Sequence, residues 1–571
     1  MGESLKNFIF AKKAPMKNKF LLLPCLLFFV FILNNKSIGQ NQPAFDKKIK
    51  NVIIMIPDGT SASVLSLSRW YQWYQNNNIT NLTIDSLLCG FVKTYSSDAP
   101  IGDSAPTSSC YSTGQESQTG FIATYPVKTS NDLVKIDAAK AYQPLMTVLE
   151  AAKLSGKSTG LVFTCEFPHA TPADFSAHSY SRKDYNALSK QMVYNNIDVV
   201  FGGGDTILKK TERNYLGKNG WDTAFSDISS FRKLNGKKSW ALFSPNDMPY
   251  DIDRDTSIEP SLAEMTTKAL SLLSKNKEQG FFLMVEGSKV DWAAHGNDPI
   301  GIITEFLAFD KALKVALDFA KSNGETVIIV CPDHGNSGIS FGNKLSNYGY
   351  DKLTAKQIFE PLTKYKLTSE GLSNKIITAI ADIQKTSKDE MRNKYFPLIK
   401  EFWGIDSLGV NEFEAIDKSL ASKNYYGLSD ALAKLITARN YIGFTTTGHT
   451  GEDVFLGMYS PNDYTHPTGL MLGKDINAYL CKTIGIESLK DSTEKYFAPH
   501  KNVFINCSDS IIKKNGEYIL QITKGKNTIE IPANKNIVYI NKKAVVLNTV
   551  VVYVDKNKTF YLPESLGKLI E

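Results

Sequence analysis

Short apolar runs alternate with longer amphipathic runs from about residue 51 to residue 499. The short runs are rich in aliphatic and aromatic residues, which is typical of buried strands. The longer runs place apolar residues three and four positions apart, as amphipathic helices do. The pattern therefore predicts strands at 52–56, 160–165, 199–201, 281–285 and 327–331, and helices such as 261–275 and 302–321.

This alternation predicts an α/β fold with a doubly wound, mostly parallel central sheet flanked by helices. Two regions depart from the pattern. Residues 341–440 are polar and favour helices, so we predict a helical insert. Residues 501–571 hold short β-rich runs between Lys- and Asn-rich turns, which predicts a small β-rich C-terminal module. The main domain is predicted to span 45–500 and to contain the insert.

The first 39 residues have the pattern of an export signal. A lysine-rich stretch precedes an apolar run of 14 residues, 20–33, which is shorter than the roughly 20 residues that cross a bilayer. Small residues at Ser37 and Gly39 then supply the spacing that a signal peptidase requires. We predict a signal peptide at 1–39 and an exported protein, periplasmic or secreted, with no membrane association after cleavage. A retained membrane anchor is the alternative.

The net charge of +7 belongs mostly to this leader, which holds six lysines and one glutamate. The remainder is too close to neutral to indicate nucleic-acid binding. Six cysteines follow the leader without a CxxC pair, which argues against a structural zinc site. We expect buried thiols at Cys165 and Cys331, and export would permit a disulfide between Cys481 and Cys507.

Histidine is scarce, with seven in the chain, and three histidines accompany carboxylates near predicted strand ends. Asp291 and His295 are four residues apart and would share one face of a helix. Asp333 and His334 follow the strand at 327–331, and His449 lies in a glycine-flanked loop. Each pair alone could be an ordinary capping or surface pair. Together they favour a site for zinc or a similar divalent ion.

Two further residues lie at a strand end and at a helix start, positions where catalytic and ligand-binding residues are common. Asp58 follows the first predicted strand and precedes a glycine, a pattern that alone indicates a turn. Ser104 lies among small residues in DSAPTSSCYSTG (103–114), at the start of a predicted helix. A serine there can be a helix cap. It can also be a nucleophile whose anionic product is favoured by the free amides and the helix dipole.

The order of these motifs resembles the alkaline phosphatase family over about residues 50–485. The motifs that carry the resemblance are Asp58-Gly59, Asp103-Ser104-Ala105, His169-Ala-Thr171-Pro, Arg182, FGGG (201–204), Glu286-Gly287, Asp291-xxx-His295, Asp333-His334 and His449. The resemblance implies a metal-dependent hydrolase of small phosphomonoesters that releases inorganic phosphate through a phosphoserine intermediate. It also implies a homodimer.

The resemblance further implies two zinc ions and one magnesium ion per chain. The implied ligand sets are Asp291, His295 and His449 for one zinc; Asp58, Asp333 and His334 for the other, with Ser104 joining during the reaction; and Asp58, Thr171 and Glu286 for magnesium. Arg182 would clamp the substrate phosphate beside Ser104. His169, Trp292 and Asp103 would support the site from outside the ligand sets.

Three alternatives stand beside this interpretation. A sulfatase would carry an arginine where Ser108 stands. A phosphodiesterase tends to lack the arginine clamp and the third metal site, whereas Arg182, Thr171 and Glu286 are all present. A secreted protein that only binds metal or phosphate would be expected to have lost one of these residues. The insert contains no histidine. We expect it to supply no metal ligand and to shape leaving-group access or a subunit contact, and we expect His466 and His500 at the surface.

Overall fold

The computed structural model describes residues 49–381, 387–461 and 464–570. The predicted signal peptide, 1–39, lies outside the described residues. Among the described residues, no helix combines the length and apolar character that crossing a membrane requires.

The main part of the chain is built on one large sheet. Its strands and the short strands beside it are β1 (Asn51–Pro57), β2 (Leu88–Lys93), β3 (Ser158–Glu166), β4 (Val199–Gly203), β5 (Asp222–Phe225), β6 (Ser239–Leu242), β7 (Phe281–Gly287), β8 (Thr326–Val330), β9 (Gly335–Asn336), β10 (Ser340–Phe341), β11 (Ile442–Gly443), β12 (His449–Thr450), β13 (Val454–Tyr459) and β14 (Gly469–Leu472). In the described part of the chain, ten of them form a sheet in the order β14-β2-β13-β8-β1-β7-β3-β4-β6-β5. Neighbours are parallel except around β13, which runs antiparallel to β2 and β8.

Strand β1 shows why both faces of the sheet are covered. Ile53 and Met55 pack into one hydrophobic core, and Val52, Ile54 and Ile56 pack into another. All five side chains are fully buried. Because successive side chains of a strand point to opposite faces, a strand that is apolar at every position needs helices on both sides. The predicted fold class is confirmed.

The helices flank this sheet and form the insert. They are α1 (Ser63–Gln75), α2 (Ser104–Thr113), α3 (Val148–Leu154), α4 (Ala170–Asp174), α5 (Tyr185–Tyr194), α6 (Lys210–Lys218), α7 (Ile228–Lys233), α8 (Leu262–Leu273), α9 (Lys289–His295), α10 (Pro299–Asn323), α11 (Ala355–Thr363), α12 (Ser369–Ile380), α13 (Lys388–Trp403), α14 (Val410–Ala421), α15 (Tyr425–Thr437), α16 (Gly473–Ile484), α17 (Leu489–Tyr496) and α18 (His500–Val503). The predicted helix at 302–321 is longer at both ends. Asp298 caps its start by accepting hydrogen bonds from the amides of Ile300 and Gly301, both at 3.1 Å.

Helices α11 to α15 make up most of the insert, which leaves and re-enters the main domain at one place. Strands β10 and β11 pair there, with Ser340 opposite Gly443 and Phe341 opposite Ile442. Buried side chains of the insert, including Tyr395 and Trp403, belong to the same hydrophobic core as β1.

The C-terminal region forms a second, antiparallel sheet. Its strands are β15 (Ala498–Pro499), β16 (Ser508–Lys514), β17 (Glu517–Lys524), β18 (Asn527–Pro532), β19 (Lys535–Ile540), β20 (Lys543–Val554) and β21 (Thr559–Leu562), in the order β15-β21-β20-β19-β18-β17-β16. The region has a core of its own, and Val550 and Val552 also pack into one core of the central sheet.

One smaller expectation is wrong. His500 is buried rather than at the surface, and its Nδ1 accepts a hydrogen bond from the amide of Phe560 at 3.1 Å. The disulfide that export would permit between Cys481 and Cys507 is not formed, since both are free thiols. Cys165 and Cys331 are buried thiols, as predicted.

Candidate metal centre

The site lies where three neighbouring parallel strands end. Asp58 directly follows β1, Glu286 stands near the end of β7, and Asp333 and His334 follow β8. The register pairs Ile56 with Glu286, so the two carboxylates of Asp58 and Glu286 come from the same edge of the sheet. Carboxyl ends of parallel strands are the usual place for a ligand in such folds.

One group of ligand atoms comes from Asp291, His295 and His449. Helix α9 places Asp291 and His295 one turn apart, and the Nε2 of His295 lies 3.4 Å from Oδ2 of Asp291. The Nε2 of His449 lies 3.6 Å from Oδ1 of Asp291 and 3.1 Å from Nε2 of His295. The other ring nitrogens bond to backbone carbonyls, His295 to Thr447 at 2.7 Å and His449 to Gly102 at 2.9 Å. These bonds turn both Nε2 atoms toward Asp291.

A second group joins Asp58, Asp333, His334 and Ser104. The Nε2 of His334 lies 3.5 Å from Oδ1 of Asp58, 3.3 Å from Oδ2 of Asp333 and 3.2 Å from Oγ of Ser104. All four residues are buried. The two groups are contiguous, since the rings of His334 and His449 stack with centroids 3.7 Å apart.

Gly59 makes this close approach between the groups sterically feasible. Its φ is +59°, and a Cβ there would lie 2.2 Å from Oδ1 of Asp291. Its amide also donates to Oδ1 of Asp333 at 3.0 Å. A side chain at this position would therefore collide with a ligand residue and strain the backbone. The glycine after Asp58 is thus part of the site and more than a turn residue.

A third group surrounds Glu286. The carboxylate and the ligand atoms of Cys165 and His169 lie within 4.8 Å of one another, and the Sγ of Cys165 is 3.4 Å from Oε2 of Glu286. Thr171, in helix α4, is buried and its hydroxyl accepts a hydrogen bond from Ser108 at 3.3 Å.

Arg182 lies at the open side of these groups. Its Nη1 donates to Oδ1 of Asp103, and its Nη2 lies 3.1 Å from Nε2 of His169. The guanidinium side chain is 25% exposed, so an anion can reach it. The ring of Trp292 meets His169 edge-on, with centroids 5.8 Å apart. The three residues expected to support the site therefore connect to Arg182 directly or through His169.

The buried carboxylates of the site have too little positive charge near them to stabilise their ionised forms. Burial, and then the charges of Asp333, Asp291 and Glu286, raise the pKa of Asp58 well above its usual value. Burial and then Asp333 raise the pKa of Glu286 to about 8. Both carboxylate oxygens of Asp58, Oε1 of Glu286 and Oδ2 of Asp333 are buried without a hydrogen-bond partner. Such groups are costly unless cations bind them, so the donor set fits divalent metal ions.

Asp291 is the exception among these carboxylates. Burial alone would raise its pKa, but the hydrogen bond with His295 and the charges of His334, His295 and His449 hold it below the ordinary value. Burial likewise opposes protonation of His295, yet its bond to Asp291 raises the pKa of the imidazole to about 9. A cation bound by these three side chains would displace that proton.

Residues 49–484 match the model of the family described as alkaline phosphatase. The chain belongs to the alkaline phosphatase family. It is 34% identical to alkaline phosphatase 3 of Bacillus subtilis over 430 residues, which cover 73% of this chain and 85% of that protein. Among solved structures it is similar to a cold-active alkaline phosphatase from a psychrophilic Shewanella species, with 26% identity and a TM-score of 0.63, covering 77% of this chain and all of that one. It is also similar to Thermus thermophilus alkaline phosphatase, with 22% identity and a TM-score of 0.66, covering 82% of this chain and 96% of that one.

Membership in the alkaline phosphatase family favours a monoesterase over the sulfatase and the phosphodiesterase. The structure adds two residues that the sequence did not single out for the site. Asn336 donates from Nδ2 to Oδ1 of Asp291 at 2.7 Å and is brought there by the pairing of β9 with β12. Cys165 was predicted only as a buried thiol. Its position near the end of a predicted strand was the signal in the sequence that could have indicated a place at the site. That strand is β3, which lies beside β7.

Proposed function

We propose that this chain hydrolyses phosphomonoesters by transferring the phosphoryl group first to Ser104 and then to water. One observation carries the proposal: the hydroxyl of Ser104 lies 3.2 Å from Nε2 of His334, at the start of α2 and beside buried carboxylate oxygens that have no hydrogen-bond partner among the described residues. A nucleophile next to a cluster of cation ligands suits an in-line displacement at phosphorus.

The proposed cofactors are two zinc ions and one magnesium ion per chain. Imidazole and carboxylate donors suit zinc, whereas a hydroxyl and carboxylates suit magnesium. The proposed holders are Asp291, His295 and His449 for one zinc; Asp58, Asp333 and His334 for the other; and Asp58, Thr171 and Glu286 for magnesium. When bound, such ions lower the pKa of a neighbouring hydroxyl and stabilise negative charge on the attacking and leaving oxygens.

Ser104 is the proposed nucleophile. Its Oγ loses its proton and forms a bond to phosphorus while the bond to the leaving oxygen breaks and the leaving alcohol takes up a proton. Water then forms a new bond to phosphorus, the bond to Oγ breaks, and Ser104 regains its proton. The free amides and dipole at the start of α2 favour the alkoxide.

Arg182 is the proposed phosphate clamp. A guanidinium offers two parallel donors to two phosphate oxygens. The carboxylate of Asp103 and the Nε2 of His169 hold the guanidinium from behind, and Trp292 packs against His169. These three residues orient the clamp and leave its outer face for the substrate.

The proposal extends to export and assembly. The basic stretch and apolar run before residue 39 support a cleaved signal peptide and a periplasmic or secreted enzyme. A homodimer is proposed from family membership. The proposed domain boundaries are 45–500, with the insert at 341–440, and 501–571.

The test is hydrolysis of p-nitrophenyl phosphate by the purified mature chain, before and after chelation and after return of zinc and magnesium. We expect activity that chelation abolishes and the metals restore, together with two zinc and one magnesium per chain by elemental analysis. Bis(p-nitrophenyl) phosphate and p-nitrophenyl sulfate should be far poorer substrates. A metal-loaded chain that prefers the diester or the sulfate would contradict the proposal.

A further inference from the structure

A cavity of about 750 Å³ opens beside the metal centre. Its inner wall includes Trp292 and His295 of helix α9, and Tyr250. Its outer wall comes from the insert, through helices α12 and α15. One wall of the cavity therefore includes His295 of the metal centre, and the other wall comes from the insert, which supplies no proposed metal ligand.

The cavity lies on the side from which a leaving group would depart. From Ser104 the site runs through His334, at 3.2 Å, to the stacked ring of His449 and then to His295, whose Nε2 is 3.1 Å from that of His449. The cavity begins at His295, the far end of this row. In an in-line displacement the leaving group departs opposite the nucleophile. If Ser104 is the nucleophile, as proposed above, the leaving group extends toward the cavity.

The lining of this cavity is acidic. Among the described residues it contains the carboxylates Asp247, Asp298, Glu370 and Asp430, and it contains no lysine or arginine. Three of these have partners outside the lining or in the backbone. Asp247 accepts from Lys289 at 2.5 Å, Asp430 from Lys434 at 2.7 Å, and Asp298 from backbone amides.

Glu370 is the carboxylate that remains. It makes no hydrogen bond and no ion pair with any residue in the described part of the chain. Glu370 is exposed at the cavity wall. Partial burial of its carboxyl raises the pKa, the charge of Lys289 lowers it, and the charges of Asp247 and Asp298 raise it. A cation placed in the cavity would meet here an exposed carboxylate that has no hydrogen bond or ion pair among the described residues.

Aromatic rings complete the surroundings of such a cation. The Nζ of buried Lys289 lies 4.0 Å from the ring centre of Tyr250 and 4.9 Å from that of Trp292. These two rings therefore already contact one ammonium group of the protein, whose charge Asp247 balances. Tyr426, on the insert side, is 93% exposed and offers its ring to the cavity. Aromatic faces with a carboxylate form the chemistry that recognises ammonium groups.

We propose that this cavity is the leaving-group site of the enzyme and that it selects phosphomonoesters of amino alcohols, whose leaving groups carry an ammonium cation. Glu370, contributed by the insert, is the residue that determines the preference. This inference rests on the proposed function, because it takes the position of the leaving group from the attack by Ser104.

The test compares two substrates of the same shape. Phosphocholine carries a trimethylammonium group, and 3,3-dimethylbutyl phosphate carries a neutral tert-butyl group in its place. We expect the metal-loaded enzyme to have the higher kcat/KM for phosphocholine. Glu370→Gln should lower the ratio of the two kcat/KM values by about twofold to fivefold, and added salt should lower it in the wild type. Any general loss of activity cancels in the ratio.

Glu401→Gln is the matched control, because Glu401 is an exposed carboxylate of the insert that does not line the cavity. It should leave the ratio unchanged, whereas Glu370→Lys should reverse the preference. Equal kcat/KM values in the wild type, or a ratio that both Glu370 variants leave unchanged, would overturn the leaving-group site while p-nitrophenyl phosphate is still hydrolysed. Absence of hydrolysis of all three esters would instead contradict the proposed function, and the leaving-group site with it.

Discussion

The metal centre and the helical insert differ in whether their buried carboxylates have hydrogen-bond partners. In the metal centre, buried carboxylate oxygens of Asp58, Glu286 and Asp333 have no partner. In the insert, Asp417 accepts from Arg392 at 2.6 Å and from the hydroxyl of Tyr395 at 2.8 Å. The buried carboxylate of Asp417 is thus satisfied within the insert, whereas those of the metal centre need bound cations.

The helix starts show the same difference. Within the insert, α11 and α13 begin with capping boxes at Thr354 and Ser387. At the site, the residues before α2, α4 and α9 make no side-chain cap bond. Two of them, Asp103 and His169, bond to Arg182 instead. The insert thus caps these two helices with side chains, whereas the site leaves three helix starts without a side-chain cap, at a cost of about 1 kcal/mol per missing cap.

The largest effect is expected at the nucleophile. Ser104→Ala should lower kcat for p-nitrophenyl phosphate by at least about a thousandfold, because no other group can accept the phosphoryl. Metal content and the thermal unfolding midpoint should change little. Thr113→Ala is the control, since Thr113 lies at the other end of α2 and bonds the carbonyl of Ser109 at 2.7 Å. Unchanged turnover in Ser104→Ala would remove Ser104 from this role.

Substitution of the proposed metal ligand Asp58 should have opposite effects on stability with and without bound metal. Because burial raises the pKa of Asp58, ionisation of Asp58 destabilises the metal-free fold as the pH rises. Asp58→Asn should therefore stabilise the chelated protein at pH 9 and destabilise the metal-loaded protein. Thermal unfolding with and without chelator measures both signs. Asp318→Asn, at an exposed ion pair with Lys314, is the control. Destabilisation under both conditions would contradict the view that the carboxylates of the centre await cations.

A buried carboxylate outside the centre should make stability depend on pH. Burial raises the pKa of Glu305 in α10 from 4.5 to about 8, against the opposing bond from the amide of Asp251. Between these pH values the folded chain holds a proton that the unfolded chain has lost, so its stability falls as the pH rises toward 8. Glu305→Gln should remove that decline and gain roughly 4 kcal/mol on the wild type between pH 5 and pH 9. Parallel plots of the free energy of unfolding against pH for the two proteins would show that Glu305 does not titrate in this way.

A smaller effect is expected at the clamp. Arg182→Lys should raise the inhibition constant of inorganic phosphate and lower kcat/KM by about tenfold to a hundredfold, because a point charge replaces a two-pronged donor. Inhibition by phosphate and turnover are measured on the same metal-loaded preparation. Wild-type affinity for phosphate in this variant would exclude Arg182 as the residue that clamps the phosphate.

The smallest effect on the centre is expected from the insert. Replacing about residues 345–435 by a short Gly/Ser linker should leave bound zinc near two per chain, because the proposed ligands all lie outside it. Substrate preference or oligomeric state should change, since α12 and α15 line the cavity beside His295. Elemental analysis of the folded variant measures the zinc. Loss of zinc from a variant that still folds would show that the insert contributes to the metal centre.

The sequence predicted those parts of the molecule that depend on local spacing. The strand at 52–56, the four-residue step from Asp291 to His295 and the helix start at Ser104 each follow from a few neighbouring residues. Strands β2, β5, β6, β13 and β14 of the central sheet were not predicted. Of these, β5, β6 and β14 have only four residues, and β2 has exposed positions that interrupt its apolar pattern. Contacts between distant segments, such as Asn336 with Asp291, depend on strand pairing that a single sequence does not encode locally.

The pairing of Ser340–Phe341 with Ile442–Gly443 has a consequence for how the enzyme can change over time. A detour of about a hundred residues starts and finishes inside one pair of hydrogen-bonded strands, so the rest of the chain meets the same two ends whatever lies between them. Doubling such a detour adds only about 0.6 kcal/mol of loop-closure cost. Mutation can therefore change the length of this segment without changing the register of the catalytic sheet, provided that the side chains it contributes to the core shared with β1 are replaced. New substrates can be acquired by changing the cavity wall that this segment supplies.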